Sequence, residues 1–215
     1  MEFKVSITNN KVLSDQETIY VLKSALMKAI RSSNWRYAVK IGYVFFKIDR
    51  ESFFAMVRQS CGEDLNPQGL KFVPIISEIS KKCFWHDVPN LIYTMSRYCK
   101  WYEPYKDISE SKDELLELND LKHSMDAKEI TIPLFSWIFD EHCQIKGLKL
   151  KDFSLSGCWY NRHKIAETGG AAVNKQVGTL KYTAESNQIT AEVKELVQSN
   201  SNEQESLKKD SLNLT

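Results

Sequence analysis

Lys23-Ser-Ala-Leu-Met-Lys-Ala-Ile-Arg31, then Asn34-Trp-Arg-Tyr-Ala38, then Cys61-Gly-Glu-Asp-Leu-Asn-Pro67 is the stretch whose reading decides the fold. Upstream of it, Ser14 and Glu17 have the spacing of a capping box, in which side chain and backbone satisfy each other at a helix start. Ile19, Leu22, Ala25, Leu26, Ala29 and Ile30 recur every three or four residues, so the helix that follows has one apolar stripe, with Lys23, Lys28 and Arg31 outside it. It ends near Arg31-Ser-Ser33, and Asn34 is a natural N-cap for a second helix. Trp35, Ala38, Val39, Gly42, Phe45 and Phe46 form the buried face of that second helix, where Gly42 predicts a close crossing with a neighbour.

Outward from this hairpin, Asp49 or Arg50 opens a third helix with Phe53, Phe54, Met56 and Val57 inside, ended by Cys61-Gly62. Asn66-Pro67 restarts the chain, because proline fits a first helical turn but not an interior. Residues 70–84 read as too apolar for an exposed helix, and Pro74 bends or begins it. A fifth helix runs from Asp87 to about Trp101. Short turns between these helices predict antiparallel neighbours. Residues 1–13, with Phe3, Val5 and Ile7 alternating, form an arm or short strand; 14–107 make the helical domain. Residues 108–168 read as a helical extension, with a short helix at Asp113 to Leu121 and another of about three turns beginning at Ile132-Pro133 and ending near Gly147. From Gly169-Gly170 the composition turns polar, which predicts a disordered tail over 169–215 with a transient helix at Thr190 to Val197. The expected class is all-α, a compact multi-helix bundle.

A chain of 215 residues that is 42% hydrophobic and 27% charged can bury one good core. Its 29 basic and 28 acidic residues nearly cancel, so any nucleic-acid contact requires a local patch rather than a global field. Five scattered cysteines without a Cys-x-x-Cys pair fit reduced thiols in a cytoplasm. No signal-peptide pattern or long apolar run suggests a membrane.

No Gly-rich loop ends in Gly-Lys-Ser/Thr, so nucleotide binding by this chain alone is not expected, and no cofactor is implied. Glu63 and Asp64 are the sharpest acidic pair; they could share a divalent cation, but capping of the next helix is the better reading. Asp140 and His142, joined to that pair, complete the alternative metal set, although two residues apart on a helix they point to diverging faces. Basic residues interleave with aromatics in three places: Arg31, Arg36 and Lys40 around Trp35; Lys81 and Lys82 before Phe84-Trp85; Arg97 and Lys100 around Tyr98 and Trp101. These cations are the candidates for phosphate contact, set against the plainer reading as solvated helix faces.

Lys23 through Arg31, Trp35-x-x-Ala38, and Gly62-Glu-Asp-Leu-Asn-Pro67 together resemble the C-terminal helical region of MgsA/RarA-type replication-associated recombination ATPases, relatives of clamp loaders. Leu65-Asn66 stands where that family has Ile/Val-Gly. Ile132-Pro133 through Asp140-x-His142 to Gly147 is similar to an element that follows such a region in small stand-alone bacterial and phage proteins, with Cys143 where threonine is expected. The resemblance spans roughly residues 15–165 and implies a collar-like helical fold that oligomerises. Partners it implies are further copies of the chain, an AAA+ ATPase or other replication protein, and DNA. Two alternatives stand beside it: a small enzyme using Asp140, His142, Glu63 and Asp64 around a metal or nucleotide, and a phage or mobile-element protein that binds a host factor.

Overall fold

The computed structural model describes residues 3–7, 11–82, 85–99, 112–125, 129–139 and 176–183. These residues are mostly helical: α1 Asp15–Arg31, α2 Trp35–Ile48, α3 Arg50–Glu63, α4 Val73–Lys82, α5 Val88–Arg97 and α6 Lys112–Met125. Beside them lies an antiparallel sheet of β1 Phe3–Ile7, β2 Lys11–Val12, β3 Glu129–Phe135 and β4 Gln176–Thr183, in the order β2-β1-β4-β3.

The capping signals operate as their chemistry requires. Ser14 Oγ accepts from the Glu17 amide at 3.3 Å while the Ser14 amide donates to Glu17 Oε2 at 2.9 Å. Asn34 Oδ1 accepts from the Tyr37 amide to start α2, and Asp49 Oδ1 accepts from the Ser52 amide to start α3. Between α1 and α2, Ser33 adopts φ 55°, and the amides of Ser33 and Asn34 donate back to Ile30 and Ala29. That closes the first helix in a Schellman-type turn, with Ser33 Oγ donating to the Ser96 carbonyl at 2.7 Å as a brace onto α5.

α2 is the central element. Trp35, Tyr37, Ala38, Val39, Ile41, Gly42, Tyr43, Val44, Phe45 and Phe46 are all buried, so little of its surface meets solvent. At Gly42 a Cβ would lie 2.8 Å from Ile92 Cγ1, which is the close α2–α5 crossing that the glycine predicts. Phe45, Phe46, Phe53 and Phe54 interlock edge-to-face between α2 and α3.

The second unit differs from expectation. Residues 129–135 form a strand rather than a helix, and alternate exposed and buried, with Ile130, Ile132 and Leu134 facing the core. Their β-branched pattern of period two outweighs the Pro133 helix-start signal. Among the described residues β3 pairs with β4 alone, so the missing proline N–H falls on an edge strand, where it costs least. The tail reading from residue 169 is also corrected in part: β4 lies within it, in the middle of the sheet, with Leu180 and Tyr182 buried. The proposed helix at 190–197, like the rest of 184–215, lies outside the described residues. The sheet is fastened to the helices by Tyr37, whose hydroxyl donates to the Pro133 carbonyl at 2.6 Å and whose ring packs on Phe135 and Trp137. Ser24 Oγ and Lys28 Nζ both donate to the Ile138 carbonyl.

Candidate functional site

The Glu63-Asp64 pair closes α3 rather than opening the next turn, so the capping reading is corrected. Asp64 is fully buried and its Oδ1 receives Arg31 Nε at 2.6 Å; Glu63, exposed, receives Arg31 Nη2 at 3.4 Å. Arg31 thus bolts the end of α1 to the end of α3. The expected capping role falls to Asn66, whose Oδ1 accepts from the Gly69 amide at 2.9 Å. With a guanidinium on both carboxylates, the geometry is that of an ion-paired clamp rather than an oxygen cage for a cation. Asp140 and His142, the other half of the alternative metal set, lie outside the described residues. Among the described residues no three His, Cys, Asp or Glu side chains gather as a metal-binding group.

The phosphate-contact candidates fare differently from one another. Arg36 and Arg97, from separate sequence clusters, converge on α6. Arg36 forks onto both oxygens of Glu117, and Arg97 Nη1 lies 3.5 Å from Glu114 Oε2, which also accepts from the Tyr93 hydroxyl at 3.0 Å. The hydrogen bond from Arg36 holds the Glu117 carboxyl below its usual range, and the same bond raises Arg36 above its own. Trp35 lies under the Arg36 guanidinium, 4.5 Å from guanidinium carbon to ring centroid, and packs edge-on against Tyr93. Lys81 pairs with Glu78 at 3.1 Å. Lys40, half-buried one turn along α2 from Arg36, has no carboxylate partner among the described residues. The Lys82 side chain and Lys100 lie outside them.

Cys61 and Cys99 are buried. Burial, and then the neighbouring Asp64 charge, push the Cys61 thiol up to about 12, so it is protonated and inert at neutral pH.

Two features were not foreseen. Glu114 and Glu117 sit in a stretch that reads only as charged and polar; their three-residue spacing, one helical turn, was the available signal. The apolar reading of residues 70–84 holds only in part: Ile76 is buried and Phe72 and Ile79 pack on the core, but Leu70, Val73 and Ile75 are 49%, 41% and 50% exposed, and Pro74 is exposed between them. They ride on the 3-10 turn Gly69–Phe72 and the first turn of α4. The Asn66 amide donates to the Tyr98 carbonyl, and Phe72 packs on Tyr98 at 5.0 Å. A Cβ at Gly69 would meet Leu65 Cβ at 2.9 Å, so the loop is pressed against its support and holds the apolar residues outward. Among the described residues no helix is long and apolar enough to cross a membrane.

Comparison of the chain with known protein families, with curated proteins and with solved structures finds no match.

Proposed function

We propose that this chain is a non-enzymatic, self-associating helical module linked to DNA replication, recombination or repair, whose collar-like bundle acts through a partner ATPase or DNA. The observation that carries the reading is the apolar ridge of Leu70, Val73 and Ile75, raised on a braced loop. Three large aliphatic residues left exposed within six positions of one loop and helix start are the usual mark of a surface that is covered in the working state. The occupant is a second copy of the chain. Its α6 presents Leu115 and Leu116, 39% and 58% exposed, flanked by exposed Asp113 and Asp120, while the ridge carries exposed Lys71. An apolar strip edged with acid thus faces an apolar strip edged with base, a heterologous contact that closes into a ring when its rotation permits.

The link to DNA transactions rests on the resemblance in the helical hairpin and the Gly-Glu-Asp turn. In support of a non-catalytic role, the acidic and basic candidates Arg31, Glu63, Asp64, Arg36 and Arg97 are all committed to ion pairs that hold helices together. The test is the solution mass of the full chain beside that of a V73D/I75D variant; self-association that disappears in the variant supports the reading.

A further inference from the structure

The geometry points to a binding site for single-stranded nucleic acid on the α2–α5 face, occupied in the resting chain by the carboxylates of its own helix α6. The inference takes its ligand from the DNA-linked reading above but not its evidence, which lies under α6. Arg36 and Arg97 come from helices separated in sequence and meet on one acidic turn, Glu114 to Glu117. Beneath them two buried donors go unanswered: Trp35, 3% exposed, and Arg97 have Nε1 and Nε respectively without an acceptor among the described residues. Buried donors are nearly always paired, so two orphans in one cluster mark a place built for an acceptor that α6 does not supply.

The chemistry of that acceptor follows from what α6 leaves undone. Two carboxylates one helical turn apart engage Arg36 Nε and Nη2, Arg97 Nη1 and the Tyr93 hydroxyl, and still leave Trp35 Nε1 and Arg97 Nε without an acceptor among the described residues. An acidic helix is therefore an incomplete ligand. A phosphodiester strand presents the same bidentate charge to an arginine fork, with further acceptor oxygens on each sugar and base. Lys40, one turn from Arg36 and without a carboxylate partner among the described residues, extends the row of cations along α2 for a linear polyanion. α6 is also lightly held, with Leu118 and Met125 its buried residues and Leu115 and Leu116 turned outward. Its displacement frees both arginines at once.

The experiment is fluorescence anisotropy of a labelled oligothymidylate of about 16 nucleotides, the upper end of common single-strand site sizes, titrated with the full chain. E114Q/E117Q, which removes the internal ligand's charge, is expected to bind at least about fivefold tighter than wild type, because the competent fraction rises. Adding R36Q/R97Q to that background should abolish the gain. D15N/E51Q removes equal charge from exposed positions on other helices and should leave affinity unchanged. With three cations engaged, the salt slope of E114Q/E117Q should be about −2. The inference is overturned if E114Q/E117Q binds no tighter, if the gain survives loss of the arginines, if D15N/E51Q reproduces it, or if polyglutamate competes as well as the oligonucleotide. Should circular dichroism show E114Q/E117Q unfolded, E117Q alone, at a pair about half exposed on both sides, provides the same comparison. The gain of E114Q/E117Q over its own background is expected to persist when V73D/I75D is added to both chains, which separates failure of this site from failure of the self-association reading.

Discussion

Replacing Arg31 with alanine tests the clamp between α1 and α3. Asp64 has a side chain 1% exposed, and Arg31 Nε stands 2.6 Å from its Oδ1. At an effective dielectric of about 20, charges at that separation attract by about 6 kcal/mol before desolvation is counted. Much of that offsets the cost of burying the carboxylate, so the pair's net worth is far smaller. Truncating the arginine removes the attraction and leaves the burial cost, which puts the loss at about 3–5 kcal/mol. Glu63, with a side chain 53% exposed and 3.4 Å from the same guanidinium, is a screened surface partner, and E63A should cost less than about 1 kcal/mol. R31M/D64L, which removes both charges, should recover much of the R31A loss. The assay is urea unfolding followed by tryptophan fluorescence, comparing midpoints at constant m. Equal losses for R31A and E63A, or an R31A loss below about 1 kcal/mol, would refute the reasoning, since a buried carboxylate that loses its guanidinium cannot be that cheap.

The two helical glycines should respond differently. G42A gains helix propensity of about 1 kcal/mol but drives a methyl to 2.8 Å from Ile92 Cγ1 in the core, a clash worth about 1–3 kcal/mol, so its melting temperature should fall or hold level. G62A, in α3 with nothing within 4 Å of the added carbon, should rise by the equivalent of about 1 kcal/mol. Cys61, with its thiol pushed up to about 12, should stay unlabelled by iodoacetamide in the native chain at mildly alkaline pH and react only after urea unfolds it; native-state labelling at the rate of the unfolded chain would contradict its burial.

How much was legible follows the strength of each local signal. The helical hairpin was readable because capping and periodicity agree: Ser14 with Glu17, Asn34 and Asp49 all cap as their side chains predict, and Gly42 does mark the crossing. β3 was misread because Pro133 carries a helix-start signal that only its place on the sheet edge cancels, and no local pattern reveals that place. β4 was hidden because its neighbours are polar and the strand is completed by pairing with β1 and β3 from far away in sequence. Among site residues, Arg36 and Arg97 were named for their charge, but their convergence on Glu114 and Glu117 is a tertiary fact. The ridge inverted its expectation: apolar content at 70–75 reads as core, and only the packing shows it facing outward.

The most direct test of the account is sedimentation equilibrium of the full chain across a wide concentration range. The ridge predicts a mass that is a whole multiple of 24.9 kDa for the wild type and 24.9 kDa for V73D/I75D with an unchanged circular dichroism spectrum. A wild-type chain that remains at 24.9 kDa at every concentration, or a variant that associates as the wild type does, would contradict it.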